Sequence, residues 1–228
     1  MLTCKKAILI GATGVIGGYC LDELLKDEFY SEVVAFSRRP LLLNNTKYAN
    51  HIIDLDKPES YKDLVKGNDV FCCLGTTMKK AFVEAMFRKI DLDYLVHFAE
   101  IAKTNGIEQF VLISALGANS KSGNFYLKTK GEIEDALVKL NFHSLIILRP
   151  SILLGPRAEF RPAELIAKFF MRALGFLFIG PLKKYKGVHS QKVGRAMVHF
   201  AKQNLNGVRI VESDEINESA FGGEVIRH

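Results

Sequence analysis

Short apolar runs alternate with stretches of helical periodicity between residues 7 and 150, and this alternation constrains the fold more than any other feature. The segments that predict buried parallel strands are Ala7–Ile10, Glu32–Ser37, His51–Asp54, Asp69–Leu74, Gln109–Ser114 and Ser144–Leu148. The segments between them that predict helices are Val15–Asp27, Ser60–Val65, Asp91–Lys103 and Asn124–Leu140. Strands that alternate with helices form right-handed crossovers, so the sequence predicts an α/β fold with a doubly wound parallel sheet.

The pattern loosens after Pro150, where the sequence predicts a small, partly helical C-terminal cap. Its expected helices are Pro162–Leu174 and Gln191–Lys202, followed by a late strand, Val208–Val211. A length of 228 residues suits one α/β domain. We therefore predict a single domain over residues 1–228, in which residues 151–228 contribute the substrate or cap region.

A glycine-rich loop joins the first predicted strand to the first predicted helix. Its residues are Gly11, Ala12, Thr13, Gly14, Val15, Ile16 and Gly17. Glycine at positions 11 and 14 permits a phosphate to approach the backbone, and Gly17 permits the helix to pack closely against the strand. The free N–H groups and the positive end of the helix then face the phosphates. In this strand–loop–helix setting the loop predicts a Rossmann fold that binds the pyrophosphate of NAD(P).

The end of the second predicted strand indicates which dinucleotide is bound. NAD-binding proteins usually place an acidic residue there for the ribose 2′-hydroxyl, whereas this chain has Ser37-Arg38-Arg39-Pro40. Because arginine matches phosphate geometry, we expect NADP(H) in preference to NAD(H); the alternative is two solvated surface arginines. Further residues expected at the cofactor, from the ends of the third and fourth strands, are Asp54, Leu55, Leu74, Gly75 and Thr76.

A tyrosine and a lysine lie four residues apart on the long helix that begins near residue 124. Tyr126 and Lys130 therefore share one helix face, and Ser114 ends the preceding strand. A carbonyl that receives a hydride needs a proton donor, and a lysine ammonium favours the phenolate form of a nearby tyrosine. The pattern predicts Tyr126 as the proton donor, Lys130 as its partner and a ribose ligand, and the Ser114 hydroxyl as a hydrogen bond to the substrate oxygen.

These motifs resemble the atypical short-chain dehydrogenase/reductases, and most closely their Tat-interacting-protein subgroup of NADPH-binding oxidoreductases. The resemblance rests on the glycine loop, the Ser114, Tyr126 and Lys130 set, and the segments Phe71–Thr77, Ser122–Glu134, Leu148–Arg157 and Arg161–Phe170. It implies NADP(H) binding and a backbone contact to the nicotinamide near Pro150 and Ser151, but no defined substrate. Ala115 follows Ser114 where relatives often have a second serine, so Ser120 and Ser122 stay alternatives to Ser114.

Composition favours a small-molecule partner over a nucleic acid. The net charge is +6, with basic residues concentrated between Arg157 and Arg195, and a phosphate-bearing cofactor accounts for such a face without a recognition module. We therefore expect an oxidoreductase acting on a carbonyl or alcohol, with an NADPH-binding regulatory or redox-sensing protein, which would act on a protein partner, as the alternative. No nucleic-acid or membrane partner is expected, and a homodimer stays open.

The four cysteines carry no metal-ligand spacing, so no metal is expected, and they are typical of a reduced, cytoplasmic protein. The scattered histidines also lack such spacing. Asp91 and Asp93 are expected to open and cap a helix, where negative charge suits the helix dipole. The run of aromatic residues between Lys168 and Lys186 is interpreted as core, with a lid or interface as the alternative.

Overall fold

The computed structural model describes residues 4–75, 83–155 and 185–219. The strands are β1 (Lys5–Ile10), β2 (Tyr30–Ser37), β3 (Tyr48–Ile52), β4 (Asp69–Cys72), β5 (Gln109–Ile113), β6 (Ser144–Arg149), β7 (Leu153–Leu154), β8 (Val188–His189) and β9 (Gly207–Glu212). The helices are α1 (Val15–Lys26), α2 (Glu84–Arg88), α3 (Tyr94–Thr104), α4 (Phe125–Lys139), α5 (Ser190–Ala201) and α6 (Ser213–Ser219). A single π-helical turn, Lys89–Asp93, joins α2 to α3.

Seven strands form one sheet in the order β3-β2-β1-β4-β5-β6-β9, and every neighbouring pair is parallel. The predicted doubly wound Rossmann fold is therefore confirmed. From β1 the chain first adds β2 and β3 on one side of that strand. It then returns, and β4 pairs with β1 on the other side. In such sheets the crevice at this reversal, outside the carboxyl ends of the strands, is where ligands bind.

Alternate residues of β1 face two separate apolar layers, as expected for a central strand covered on both sides. Ala7 and Leu9 pack with α1 and α5, whereas Ile8 and Ile10 pack with α3 and α4. Helices α1 and α5 approach each other closely at Gly194, where a Cβ atom would lie 2.8 Å from the Cys20 backbone nitrogen. The sheet and these helices fix the carboxyl ends of β1 and β4 as a rigid base for the site.

The third strand lies about three residues earlier than predicted. The sequence favoured His51–Asp54, but β3 spans Tyr48–Ile52 and pairs with β2. Polar Asn50 is accommodated because its side chain donates to the Ala35 carbonyl at 3.0 Å and accepts from the Leu41 amide at 3.0 Å. The short helix expected over Ser60–Val65 is instead two 3₁₀ turns, Pro58–Ser60 and Lys62–Leu64.

The helix predicted to open at Asp91 begins earlier, so the predicted role of Asp91 is wrong. Helical backbone starts at Glu84, and Asp91 lies fully buried inside the π-helical turn. Asp93 is exposed and makes no side-chain cap to α3. The physical reason for a buried carboxylate at position 91 is an ion pair with Lys130, which is described below.

The late helix and strand that the sequence assigned to the C-terminal cap are present as α5 and β9. They belong to the main fold, because β9 pairs with β6 at the edge of the seven-stranded sheet and α5 packs on α1. The predicted helix Pro162–Leu174, the aromatic run and most of the basic segment lie outside the described residues. The single-domain boundary therefore stays a prediction. No helix in the described ranges is long and apolar enough to cross a membrane.

Candidate cofactor cleft and active site

The glycine loop is held together by its own close contacts. Gly11 has a φ of +88°, and a Cβ atom there would lie 2.5 Å from the carbonyl carbon of Cys73 at the end of β4. A Cβ at Gly17 would lie 2.1 Å from the Gly11 carbonyl oxygen. Glycine at position 11 is thus required by the positive φ and by the close approach of the Cys73 backbone, in addition to any access for a phosphate. Glycine at 17 allows α1 to lie directly against the Gly11 backbone at the end of β1.

The N-terminus of α1 is suited to an anion. Gly14 is its N-cap, with no side-chain hydrogen bond to the first turn and no acidic residue within that turn. Thr13, Gly14 and Val15 are exposed. The first N–H groups of a helix have no partner within it, and the positive end of the dipole favours negative charge. This end of α1 can therefore receive a pyrophosphate as the sequence predicts, while Ala12 and Gly17 are buried beneath it.

A cleft opens beside this loop at the reversal point of the sheet. Its lining comes from the ends of β1, β2 and β4, the segment after β3, and the helical segment around Ile90: Ile10, Gly11, Thr13, Gly14, Phe36, Ser37, Arg38, Ile53, Leu55, Cys73, Leu74, Gly75, Ile90 and Tyr94. The predicted residues Ser37, Arg38, Leu55, Leu74 and Gly75 thus meet the glycine loop in one place. Sequence reasoning missed Ile90 and Tyr94, which carry no local signal because only packing brings their helices to the cleft.

Two predicted cofactor residues are placed differently. The Arg39 carbonyl accepts a hydrogen bond from the Ser37 hydroxyl at 2.6 Å, and Arg39 does not line the cleft although its side chain is exposed. The Asp54 carboxylate accepts from the Asp56 amide at 3.1 Å and lies 3.8 Å from the Lys57 ammonium. Asp54 therefore shapes a turn behind the cleft, and Leu55 supplies the apolar surface. Thr76 lies outside the described residues.

Tyr126 and Lys130 share one face of α4, as predicted. The Lys130 ammonium lies 5.9 Å from the centroid of the Tyr126 ring. Tyr126 is 36% exposed, and its ring packs edge-on against buried Phe87 at 5.8 Å between centroids. The phenol is therefore accessible while its ring is held on one side.

Lys130 is buried and ion-paired, which the sequence did not predict. Its ammonium lies 2.8 Å from Oδ1 of Asp91. Burial acts to lower the pKa of Lys130, but Asp91 and Tyr126 outweigh it, and the pKa is raised above its ordinary value. Lys130 is therefore a fixed cation. A Cβ at Gly75 would lie 3.2 Å from Oδ1 of Asp91, so the cleft residue Gly75 lies directly over this pair.

Ser114 lies in a different network from the one predicted. Its hydroxyl donates to Glu134, a buried carboxylate one helical turn beyond Lys130. Arg149 donates to both oxygens of Glu134, with Nε at 3.0 Å from Oε1. This carboxylate raises the pKa of Arg149 by its hydrogen bond. Because the only hydroxyl proton of Ser114 is given to Glu134, donation to a substrate oxygen would require that bond to break.

The two alternative serines belong to the loop before α4. The Ser122 hydroxyl accepts from the Asn124 amide at 3.1 Å, and the Ser120 backbone nitrogen would lie 2.1 Å from a Cβ at Gly131. Both residues are partly exposed. In neither contact does the serine hydroxyl donate its proton, so Ser120 and Ser122 both stay alternatives to Ser114.

The segment expected to reach the nicotinamide follows β6. The Pro150 carbonyl accepts from the Leu116 amide at 3.0 Å, and the Ser151 amide donates to the Ser213 hydroxyl at 2.7 Å. The Ser151 hydroxyl donates to the Lys186 carbonyl at 2.6 Å. The Ser151 amide is therefore already used within the protein, whereas the Pro150 carbonyl keeps a second lone pair for a ligand.

Cys72 is buried near Lys130 and is an unreactive thiol. Burial raises the pKa of Cys72 to about 12, so it is a neutral thiol. Within residues 4–75, 83–155 and 185–219, no group of three or more His, Cys, Asp or Glu side chains is arranged to hold a metal ion.

Comparison with known proteins agrees with this geometry. The NAD(P)H-binding family matches residues 11–159. Protein HTATIP2 from Rattus norvegicus is 38% identical over 174 residues, 75% of this chain and 72% of the rat protein. The mitochondrial protein fmp52 from Emericella nidulans is 32% identical over 227 residues, 96% of this chain and 97% of that protein.

Solved structures show the same fold at low identity. MoeE5 in complex with UDP-glucuronic acid and NAD superposes with a TM-score of 0.68 at 17% identity, over 95% of this chain and 81% of that chain. A UDP-N-acetylglucosamine 4-epimerase from Methanobrevibacter ruminantium gives 0.67 at 17% identity, over 91% and 76%. The chain belongs to the NAD(P)H-binding family and is, as its motifs predict, an atypical short-chain dehydrogenase/reductase related to Tat-interacting protein.

Proposed function

We propose that this protein is an NADP(H)-dependent oxidoreductase that transfers hydride between the nicotinamide and the carbonyl or alcohol group of a small molecule. The observation that carries the proposal is that Gly75 lies at both the cofactor cleft and the Tyr126–Lys130 site. Gly75 lines the cleft beside the glycine loop, and it also lies over the Lys130–Asp91 pair, next to which Tyr126 is exposed. A protein that only bound a dinucleotide would not need an accessible phenol beside a buried cation.

The cofactor fits the chemistry of the cleft. The N-terminus of α1 supplies backbone donors for the pyrophosphate, and Leu55 supplies apolar surface for the adenine. Arg38 is exposed and lines the same cleft, with no acidic residue at the end of β2. Arginine can bind a 2′-phosphate with two hydrogen bonds, and this supports NADP(H) over NAD(H).

The protein's own groups supply the proton for the reaction. When bound, NADPH supplies the hydride that reduces the carbonyl carbon. Tyr126 donates its hydroxyl proton to the oxygen that becomes the alcohol, and the charged Lys130 stabilises the phenolate left behind. The Lys130 ammonium also has donors for the nicotinamide ribose, and the cleft residue Gly75 that lies over it carries no side chain.

The experiment that tests this proposal is the substitution Tyr126→Phe. NADPH oxidation is followed by absorbance against a panel of small aldehydes and ketones, and active compounds are repeated with the variant. Removing a general acid costs typically 10²–10⁴-fold, so turnover should fall by about that factor while NADPH affinity and the fold persist. Tyr61→Phe is the matched control, because the buried Tyr61 hydroxyl has no hydrogen-bond partner among the described residues.

Full activity in Tyr126→Phe would remove this tyrosine from the mechanism. Tight NADPH binding without turnover of any carbonyl would favour the second candidate, a regulatory or redox-sensing protein that binds NADPH. The observation favouring that candidate is the Ser114 hydroxyl, which donates to Glu134 and leaves no proton for a substrate.

We also propose a small-molecule substrate or a regulatory protein as the partner, as opposed to a nucleic acid or a membrane, and leave open a homodimer. For location we propose the cytoplasm. The fmp52 relatives carry the word mitochondrial in their names, so fractionation of cells into cytosol and mitochondria is the direct test.

A further inference from the structure

Asp91 and Lys130 form the most buried ion pair in the described part of the chain. The exposed fractions of their side chains are 0% and 7%, and the ammonium and Oδ1 are 2.8 Å apart. A buried ion pair usually costs about as much in desolvation as it gains, so it is weak evidence for a role in stability. Its position beneath the cleft residue Gly75 points to the site instead.

The backbone around Asp91 is unusual. Asp91 lies in the π-helical turn Lys89–Asp93, which interrupts the helical segment between α2 and α3. Single π turns within helices occur frequently at functional sites. This turn packs against α4, and its buried carboxylate accepts a hydrogen bond from the lysine of α4.

Asp91 supplies the charge that allows Lys130 to remain an ammonium in this setting. The other titratable groups close to Lys130 are Tyr126 on α4 and Cys72 on β4. Cys72 is a neutral thiol, and Glu134, one turn further along α4, is bound by Ser114 and Arg149. Burial alone would lower the pKa of Lys130, by up to several units for a fully buried amine.

We propose that Asp91 is a positioning residue that keeps Lys130 charged and oriented between Tyr126 and the cofactor ribose, so that NADPH binding is independent of pH through the neutral range. This inference rests on the proposed function, because it assumes that Lys130 contacts the cofactor. It adds a residue and a pH behaviour that the tyrosine–lysine motif does not contain.

The test is the dissociation constant of NADPH, measured by its fluorescence between pH 7 and 9.5 without any substrate. The wild type should give a flat profile. Asp91→Asn keeps the size of the side chain and one accepting oxygen but removes its charge, so affinity should fall by roughly tenfold as Lys130 loses its proton. Asp91→Glu restores the charge and should restore the flat profile.

Asp93→Asn is the matched control, because Asp93 lies in the same helical segment with its side chain exposed. Its profile should match that of the wild type. A flat profile in Asp91→Asn with unchanged affinity would overturn the inference, since a purely structural aspartate would alter stability without introducing pH dependence.

A second set of variants covers the case in which Asp91→Asn does not fold. The double variant Asp91→Asn/Lys130→Met removes both buried charges, and its NADPH affinity is compared with that of Lys130→Met. Equal affinities support the inference, because Asp91 then acts only through Lys130; a further loss in the double variant contradicts it. If Lys130→Met alone binds NADPH as tightly as the wild type, the role of Lys130 in the proposed function fails, which is a separate outcome.

Discussion

Two adjacent glycines of α1 should respond to alanine in opposite directions. A Cβ at Gly17 would lie 2.1 Å from the Gly11 carbonyl oxygen and 2.8 Å from the Gly11 carbonyl carbon. At Gly18 the nearest atom, the Ala12 carbonyl oxygen, would be 3.8 Å away, which is ordinary contact. Both positions are helical, so alanine should otherwise stabilise each by about 0.5–1 kcal/mol.

The clash at position 17 is with the backbone, and a side-chain rotation cannot relieve it. Overpacking costs typically about 1–3 kcal/mol, and contact with a fixed carbonyl belongs at the upper end of that range. Subtracting the helix gain leaves Gly17→Ala less stable by about 2 kcal/mol, whereas Gly18→Ala should gain up to about 1 kcal/mol. For a chain of this size 1 kcal/mol shifts Tm by about 2–4 °C, so the two variants should differ in Tm by roughly 6–12 °C.

Thermal and urea unfolding followed by circular dichroism measure this difference directly. Because relief of the clash must move the Gly11 carbonyl, Gly17→Ala should also weaken NADPH binding, and Gly18→Ala should leave it close to wild type. Equal stability of the two variants would refute the steric argument. A normal NADPH affinity in a destabilised Gly17→Ala would refute the link between the Gly11 backbone and the phosphate site.

Two further predictions concern cofactor choice and pH. The protein should bind NADPH more tightly than NADH, and Arg38→Ala should weaken the binding of NADPH by roughly tenfold or more with little effect on the binding of NADH. The control is Arg209→Ala, which removes an exposed arginine paired with Glu215. Equal affinities of the wild type for both cofactors in a titration would contradict the prediction. The pKa of buried Asp69 is raised from 3.8, mainly by burial; since the native state then holds this proton more tightly than the unfolded state, stability is lost as pH rises through the native pKa. In Asp69→Asn, urea unfolding should therefore show a smaller fall in unfolding free energy above about pH 4 than in the wild type, and parallel curves would contradict this.

Local patterns predicted the sheet and the glycine loop because their causes are local. The run of buried apolar residues in β1, the positive φ of Gly11 and the contact of Gly17 with Gly11 all involve residues within a few positions of each other in the chain. The close approach of Cys73 to Gly11 is a tertiary contact that no local pattern shows. The error at β3 has a tertiary cause. Asn50 can lie inside a strand because Ala35, Ser37 and Leu41 meet its hydrogen bonds, and no pattern near residue 50 shows that those partners are available.

Asp91 shows why part of the site could not be predicted. An aspartate that precedes an amphipathic stretch resembles a residue at a helix N-terminus, where its charge suits the dipole. The helical segment begins at Glu84, seven residues before it, and the carboxylate is buried against Lys130, 39 positions further on. Only the packing of the π-helical turn on α4 brings these two residues together. No pattern in the sequence near Asp91 indicates that its charge is buried and paired.

The spacing of three residues on α4 explains how the tyrosine is held in place. Tyr126, Lys130 and Glu134 are each four residues apart, so they lie in one row along the helix. Both charged members are buried, and each is neutralised by a different part of the fold: Lys130 by Asp91, and Glu134 by Arg149 at the end of β6. Rotation or sliding of α4 would separate both pairs and leave buried charges without partners. The free-energy cost of breaking a buried ion pair in this way is much larger than the net stability gained by forming it. The two ion pairs therefore fix the rotation of the helix, and with it the direction in which the exposed member of the row, Tyr126, presents its hydroxyl.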